Sequence, residues 1–368
     1  MFRVFLFAVL AIYGLVHAIG FAKEFRYGMQ SQLNGRRLIR WTSGSTHARV
    51  AGIFWLIACG MFLHAGILYL LGRDIYWIPA YIGLIISQIL IIIYWSDAKY
   101  GTIINAIIFT AILPGVAEFH FKNNFQSVAE RLIKNASVEH LVITEDSIKD
   151  LPQNVQRWLR QSNVVAKNND NVIHVLQKGS LRLQPDAEWI PFSSEEYFTI
   201  DPPGFVWRAD IRPSPFIRIG GRDKYENGEG SMVIMPFYIY TVTDAKGKEI
   251  NQGTLLRYLG EMAWFPQVAI SDYLHWEEID SLHASVTMTY KGATASGIFT
   301  FSNEGFPLQF EAQRYGDFDG VYKMETWSVT AKSFKAFHGK KIGYLNEVTW
   351  KLKEGDFLWM KMEVTDIQ

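Results

Sequence analysis

Hydrophobic positions follow two different patterns along this chain. Four long apolar runs come first, Phe2 to Ala22, Val50 to Leu71, Ile75 to Trp95 and Gly101 to about Ala117. An α-helix rises about 1.5 Å per residue, so runs of this length approach the thickness of a hydrocarbon core. No charged residue stands between Trp77 and Trp95, and the two Trp rings mark the headgroup depth at which amphipathic aromatics settle. Asp97 and Lys99 then arrive together before the chain turns back into the run from Ile103 to Val116. This pattern predicts a helical hairpin in a bilayer and, with the first two runs, four transmembrane helices.

From Asn171 onward the period changes to two. Trp207, Ala209 and Ile211 alternate with Val206, Arg208 and Asp210, and Val286, Met288 and Tyr290 alternate with Ser285, Thr287 and Thr289. Leu358, Met360, Met362 and Val364 likewise alternate with Phe357, Trp359, Lys361 and Glu363. Turn residues at Asp244 to Gly247, Lys291-Gly292, Asn303 to Gly305 and Lys353 to Asp356 punctuate these runs and predict antiparallel neighbours. Pro236 predicts an edge or a bulge.

Three helical stretches stand apart from the strands. Phe121, Phe125, Val128, Leu132 and Ile133 form a stripe suited to a membrane surface, Pro152 to Gln161 reads as a short helix, and Gly253 to Trp264 as an inserted one stopped by Pro266. The expected architecture is an α-helical membrane region over residues 1–118, an amphipathic linker over 119–150 and an α+β soluble domain over 151–368. That domain is read as a curved, half-barrel-like antiparallel β-sheet with one inserted helix.

The chain of 368 residues has a formal net charge of +0, which gives no electrostatic case for nucleic acid. Its one cysteine, Cys59, lies in an apolar run and makes no intrachain disulfide. Only Arg3 precedes the first apolar core, whereas Lys23, Arg26, Arg36, Arg37, Arg40 and Arg49 follow it. That asymmetry predicts an uncleaved first helix with its N-terminus outside and a cytoplasmic basic loop. By alternation the C-terminal domain is expected in the periplasm or outside the cell. Within the spans, His17, His64, Ser87, Gln88 and Asn105 are expected to hydrogen-bond between helices. A haem or metal between His17 and His64 is the lesser reading, and neither a metal nor a cofactor is assigned.

The strings GTLLRYLGEMAWFPQVAI, PPGFVWRADI and GRDKYENGEGSM, with the Trp276, Trp327 and Trp350 regions, resemble a bacterial family of membrane-anchored proteins of unknown function. HAIGFAKEF and SQILIIIYWSDAKYGTIIN resemble the membrane part of its members. The soluble half also resembles the half-barrels of lipoprotein-carrier (Lol-type) proteins, and this resemblance implies an apolar concave face that holds acyl chains.

Candidate chemistry is sparse. Arg257 and Glu261 share one helix face with Trp264 next along it, either as charged groups at a pocket mouth, with Arg257 gripping a carboxylate or phosphate, or as an ordinary ion pair. The ordinary pair is the stronger of the two. The segment from His275 to His283 holds two His and three carboxylates without a zinc spacing. GRDKYENGEG reads as a hairpin rather than a phosphate cradle. Eight Trp from Trp158 to Trp359 either pack a core or line a cavity. The expectation is a non-enzymatic, membrane-tethered domain that binds a lipid or other apolar ligand through Arg257, Glu261, Trp264, Trp207 and Trp276. The alternatives are an envelope hydrolase using Glu261, His275 or Glu278, and a structural interaction module.

Overall fold

The computed structural model describes residues 2–27, 45–318 and 320–368, so the expected basic positions Arg36, Arg37 and Arg40 lie outside the described residues. The chain divides into two compact units, Met1–Phe121 and Lys122–Gln368.

In the first unit, helices α1 (Phe2–Glu24), α2 (Thr46–Leu70) and α3 (Trp77–Ile93) follow the apolar runs. A break at Tyr94 precedes the short α4 (Trp95–Ala98). The 35-residue α5 (Gly101–Asn135) absorbs Pro114 without ending, and it extends through the stretch expected as a separate linker helix. Among the described residues, four helices are long and apolar enough to cross a membrane. Their polar residues satisfy one another. Tyr13 Oη donates to Asn105 Oδ1 (2.7 Å), His17 Nε2 lies 2.8 Å from Ser87 Oγ, and Asn105 Nδ2 donates to Gln88 Oε1 (3.0 Å). His64 does not join them; it is exposed on α2. Asp97, beside the turn that precedes α5, pairs with Lys23 at 2.8 Å.

The second unit begins with the end of α5 and the short elements β1 (Leu141–Val142), α6 (Glu145–Ile148), α7 (Gln153–Gln161) and β2 (Asn168–Asn169). Six strands follow: β3 (Val172–Leu181), β4 (Ile190–Thr199), β5 (Gly204–Ile211), β6 (Ile219–Glu226), β7 (Glu229–Pro236) and β8 (Thr243–Ala245). Helix α8 (Lys248–Glu261) interrupts, continued by 3-10 turns over Met262–Trp264 and Pro266–Ile270. The remaining strands are β9 (Leu274–Glu278), β10 (His283–Tyr290), β11 (Ala293–Phe301), β12 (Pro307–Phe318), β13 (Val321–Phe337), β14 (Lys340–Leu352) and β15 (Gly355–Ile367).

Strands β3 to β15 form one antiparallel sheet in the order β8-β7-β6-β5-β4-β3-β15-β14-β13-β12-β11-β10-β9. Local turns make most of these neighbours. Asn227-Gly228 and Lys291-Gly292 both have positive φ, the geometry that two-residue hairpins require. The joint between β3 and β15 is the long-range one, and it inserts the last strand in the middle of the sheet. The sheet is curved but not closed, with β8 and β9 as its edges. Pro236 ends β7 beside the short edge strand, where its missing N–H breaks no central ladder.

Helix α8 lies on the concave side and touches β6 and β7 from one arm of the sheet and β10, β11 and β12 from the other. Every residue from Gly253 to Glu261 is therefore buried, including the charged ones. An exposed helix needs one apolar stripe, but this one is enclosed and needs partners on all faces. The stripe at the end of α5 packs on the opposite, convex face. Phe125, Val128, Ala129 and Leu132 cluster with Val206 and Tyr197 of the sheet, which gives this stripe a protein partner in place of the expected membrane surface.

Candidate functional site

The concave face encloses a cavity of about 360 Å³ under α8 and its 3-10 continuation, a volume typical of small-molecule sites. Strand alternation supplies much of its apolar lining, including Trp207, Ile211, Val329 and Met362. A β-bulge supplies another part. Val348 pairs with Met360 and Thr349 with Leu358, so Trp359 is the extra residue, and both Trp359 and Met360 reach the cavity. Simple alternation puts those two on opposite faces, and the bulge is what lets both line the cavity.

One polar cluster stands in this wall. Glu196, Trp207 and Asp223 are direct cross-strand neighbours on β4, β5 and β6. Arg257 of α8 lies over the Trp207 ring, 4.6 Å from its centre, and spans the row. Its Nη2 donates to Glu196 Oε1, its Nη1 to Asp223 Oδ2 and its Nε to Glu261 Oε1, each at 2.8 Å. Burial holds the Glu196 and Glu261 carboxyls above their usual range against the pull of Arg257. Burial works against the Arg257 charge as well, but the three carboxylates outweigh it and raise its pKa. Arg257 is thus a fully engaged structural cation, and the pairing with Glu261 read from the i,i+4 spacing is one third of its environment.

Of the five residues expected to bind ligand, Arg257, Glu261, Trp264 and Trp207 line the cavity. The Trp264 indole donates to the Gly343 carbonyl at 3.0 Å, and that of Trp207 to Gln177 Oε1 at 3.2 Å. Trp276 is placed elsewhere, in the core against Trp158 and Phe299, with its N–H on the Ala269 carbonyl. The hydrolase candidates are not assembled. His275 and Glu277 are exposed on edge strand β9, and Glu278 accepts the backbone N–H of Gln153 at the start of α7.

Asp223 and Arg314 line the cavity without having been read as site candidates, whereas Trp327 and Trp359 belong to the eight Trp read as core or cavity. Arg314 stacks on Trp327 with its guanidinium carbon 4.6 Å from the ring centre. The two residues sit on neighbouring strands, and an Arg and a Trp thirteen positions apart carry no local signal for such a pair.

A family model described as a family of unknown function (DUF6544) matches residues 141–362, so HAIGFAKEF lies outside the matched stretch. No curated protein matches the chain. Among solved structures, the chain is similar to a LolA superfamily protein from Nitrosomonas europaea (12% identity, 58% of this chain and 92% of that one, TM-score 0.35). It is also similar to a DUF1329 family protein from Desulfovibrio piger (11% identity, 58% and 91%, TM-score 0.36). A third is a putative outer membrane lipoprotein-sorting protein domain from Vibrio parahaemolyticus (9% identity, 54% and 85%, TM-score 0.29). A family of unknown function is thus among the matches, as the sequence strings suggested.

Proposed function

This chain belongs to the DUF6544 family, and we propose that it is a membrane-tethered binder of a lipid or other apolar molecule. The observation that carries this reading is the cavity of about 360 Å³ between the concave face and α8, walled by Trp, Met, Leu, Ile and Phe side chains. Each methylene of a ligand moved there from water contributes about 0.8 kcal/mol. The reading is of binding without catalysis, because the carboxylates of the cluster are all held by one cation: Arg257 pairs with Glu196, Asp223 and Glu261. The four apolar helices serve as the tether.

The proposed orientation puts the N-terminus and the sheet domain outside the cytoplasmic membrane. It rests on Lys23, Arg26 and Arg49 flanking the segment between α1 and α2. A reporter fused after Gln368 is expected to be active only in the periplasm, and activity in the cytosol refutes the orientation. Native mass spectrometry of the full chain, extracted in mild detergent, tests the binding. Co-purifying lipid is expected, and empty protein under conditions that preserve other lipid complexes refutes it.

A further inference from the structure

The cavity is one half of a longer trough. A second chamber of about 460 Å³ adjoins it, and Leu183, Asp223, Met232, Arg314 and Trp359 line both. The inner chamber is almost wholly apolar. The outer one carries Arg182, Glu249 and Asp317 as well as the shared charges, and Leu183 and Tyr322 at its rim are exposed. The trough therefore has an oily end and a charged end that meet at Arg314.

Among the described residues, three hydrogen-bond donors near this seam have no acceptor. Arg314 Nε, Trp327 Nε1 and Trp359 Nε1 are buried and unpaired, and all three residues line the inner chamber. Buried donors left this way are rare, because each loses its water without replacement. The Arg314 guanidinium makes no hydrogen bond or ion pair among the described residues, whereas Arg257 has three carboxylates. Its guanidinium carbon lies 4.6 Å from the centre of the Trp327 ring and 5.9 Å from that of Trp350. Burial pushes the Arg314 pKa down to about 10, which leaves it charged at neutral pH.

We propose that Arg314, with Trp327 and Trp359, is the head-group anchor for an amphiphile whose tail occupies the inner chamber and whose phosphodiester oxygens accept from these donors. Glu249 and Asp317 in the outer chamber favour a head that pairs the phosphate with an ammonium group, as phosphatidylethanolamine does, over a bare carboxylate. This assignment rests on the apolar-binding reading above and moves the head-group role from Arg257, whose nitrogens are all engaged, to Arg314.

The test uses the full chain in detergent and lipids with brominated acyl chains, which quench the cavity Trp residues. Phosphatidylethanolamine, phosphatidylglycerol, a fatty acid and uncharged diacylglycerol are titrated against the native protein, Arg314→Gln and Arg314→Lys. Arg314→Gln is expected to weaken phosphatidylethanolamine about tenfold or more and to leave diacylglycerol unchanged, with Arg314→Lys in between. Diacylglycerol serves as the folding control, since a misfolded variant loses it too, and Arg314→Lys then decides. Unchanged phosphatidylethanolamine affinity in whichever of the two variants still binds diacylglycerol overturns the anchor while the apolar cavity stands. Absence of quenching by every brominated lipid in the native protein overturns the apolar-binding reading itself. Fatty acid or phosphatidylglycerol binding as tightly as phosphatidylethanolamine, with the same dependence on Arg314, overturns the choice of a zwitterionic head.

Discussion

The guanidinium carbon of Arg257 sits 4.6 Å above the ring centre of Trp207. That contact joins α8 to the floor of the curved sheet. Glu196 and Asp223 flank Trp207 on the neighbouring strands, so the cation stacks on an indole while reaching a carboxylate on either side. Glu261 closes the set from the helix itself. The cluster adds a directional constraint to the apolar packing of this enclosed helix, since Arg257 reaches its carboxylates from one orientation only.

Arg257→Met removes the cation and leaves three carboxylates facing one another away from water. Breaking a buried charge set in this way costs about 3–5 kcal/mol. Thermal unfolding of the full chain is expected to show a large fall in Tm for Arg257→Met. An unchanged Tm means that α8 is held by apolar packing alone.

The raised carboxyl pKa values give a pH dependence of definite sign. A carboxyl whose folded pKa lies above its ordinary 4.5 binds its proton more tightly when folded. Its contribution to stability is complete below about 4.5 and is lost as pH rises through the folded value. Glu261→Gln removes that term, since an amide oxygen still accepts from Arg257 Nε. The stability of the native chain relative to Glu261→Gln is therefore expected to fall as pH rises from 4.5 toward the folded value. A difference that grows with pH contradicts the assignment.

Gly221 of β6 lines the cavity, and a Cβ there meets Trp207, Ala209 and Ile211 at 3.5–3.8 Å, ordinary contact distances. Gly221→Leu should therefore fit its first carbon without strain and direct the rest into the ligand space. Lipid occupancy by native mass spectrometry is expected to drop while Tm holds or rises. Full occupancy in this variant places the ligand elsewhere.

Leu132 and Ile133 are adjacent on α5 and distinguish the two readings of its apolar stripe. Leu132 is buried with Val206 on the convex face, whereas Ile133 is 39% exposed. Leu132→Ala is expected to cost about 2–5 kcal/mol and Ile133→Ala far less, measured by denaturant unfolding. Equal, small effects point to a stripe that faces lipid rather than the sheet.

Local periodicity was enough to read most of the elements. The apolar runs gave α1, α2 and α3, and the turn dipeptides gave the hairpins, because both signals lie within a few residues of the structure they specify. The same locality explains the misses. Phe119 to Asn135 was read as a linker helix apart from the fourth apolar run, yet α5 runs on through Pro114 to Asn135.

What the sequence determined by itself was therefore the two-part character of the chain: apolar helices of membrane length, then an antiparallel sheet with one inserted helix. It also determined the Arg257–Glu261 pair, whose spacing is a property of any helix. The tertiary structure decided which residues meet. Glu196, Asp223 and Arg314 reach the site from three strands far apart in sequence, and a bulge turns Trp359 inward. Side-chain direction along one strand follows a fixed alternation, but the pairing of strands and the placing of a bulge depend on contacts summed over the whole sheet. Those contacts enclose α8, bury its charges and leave Arg314 unpaired at the junction of the two chambers.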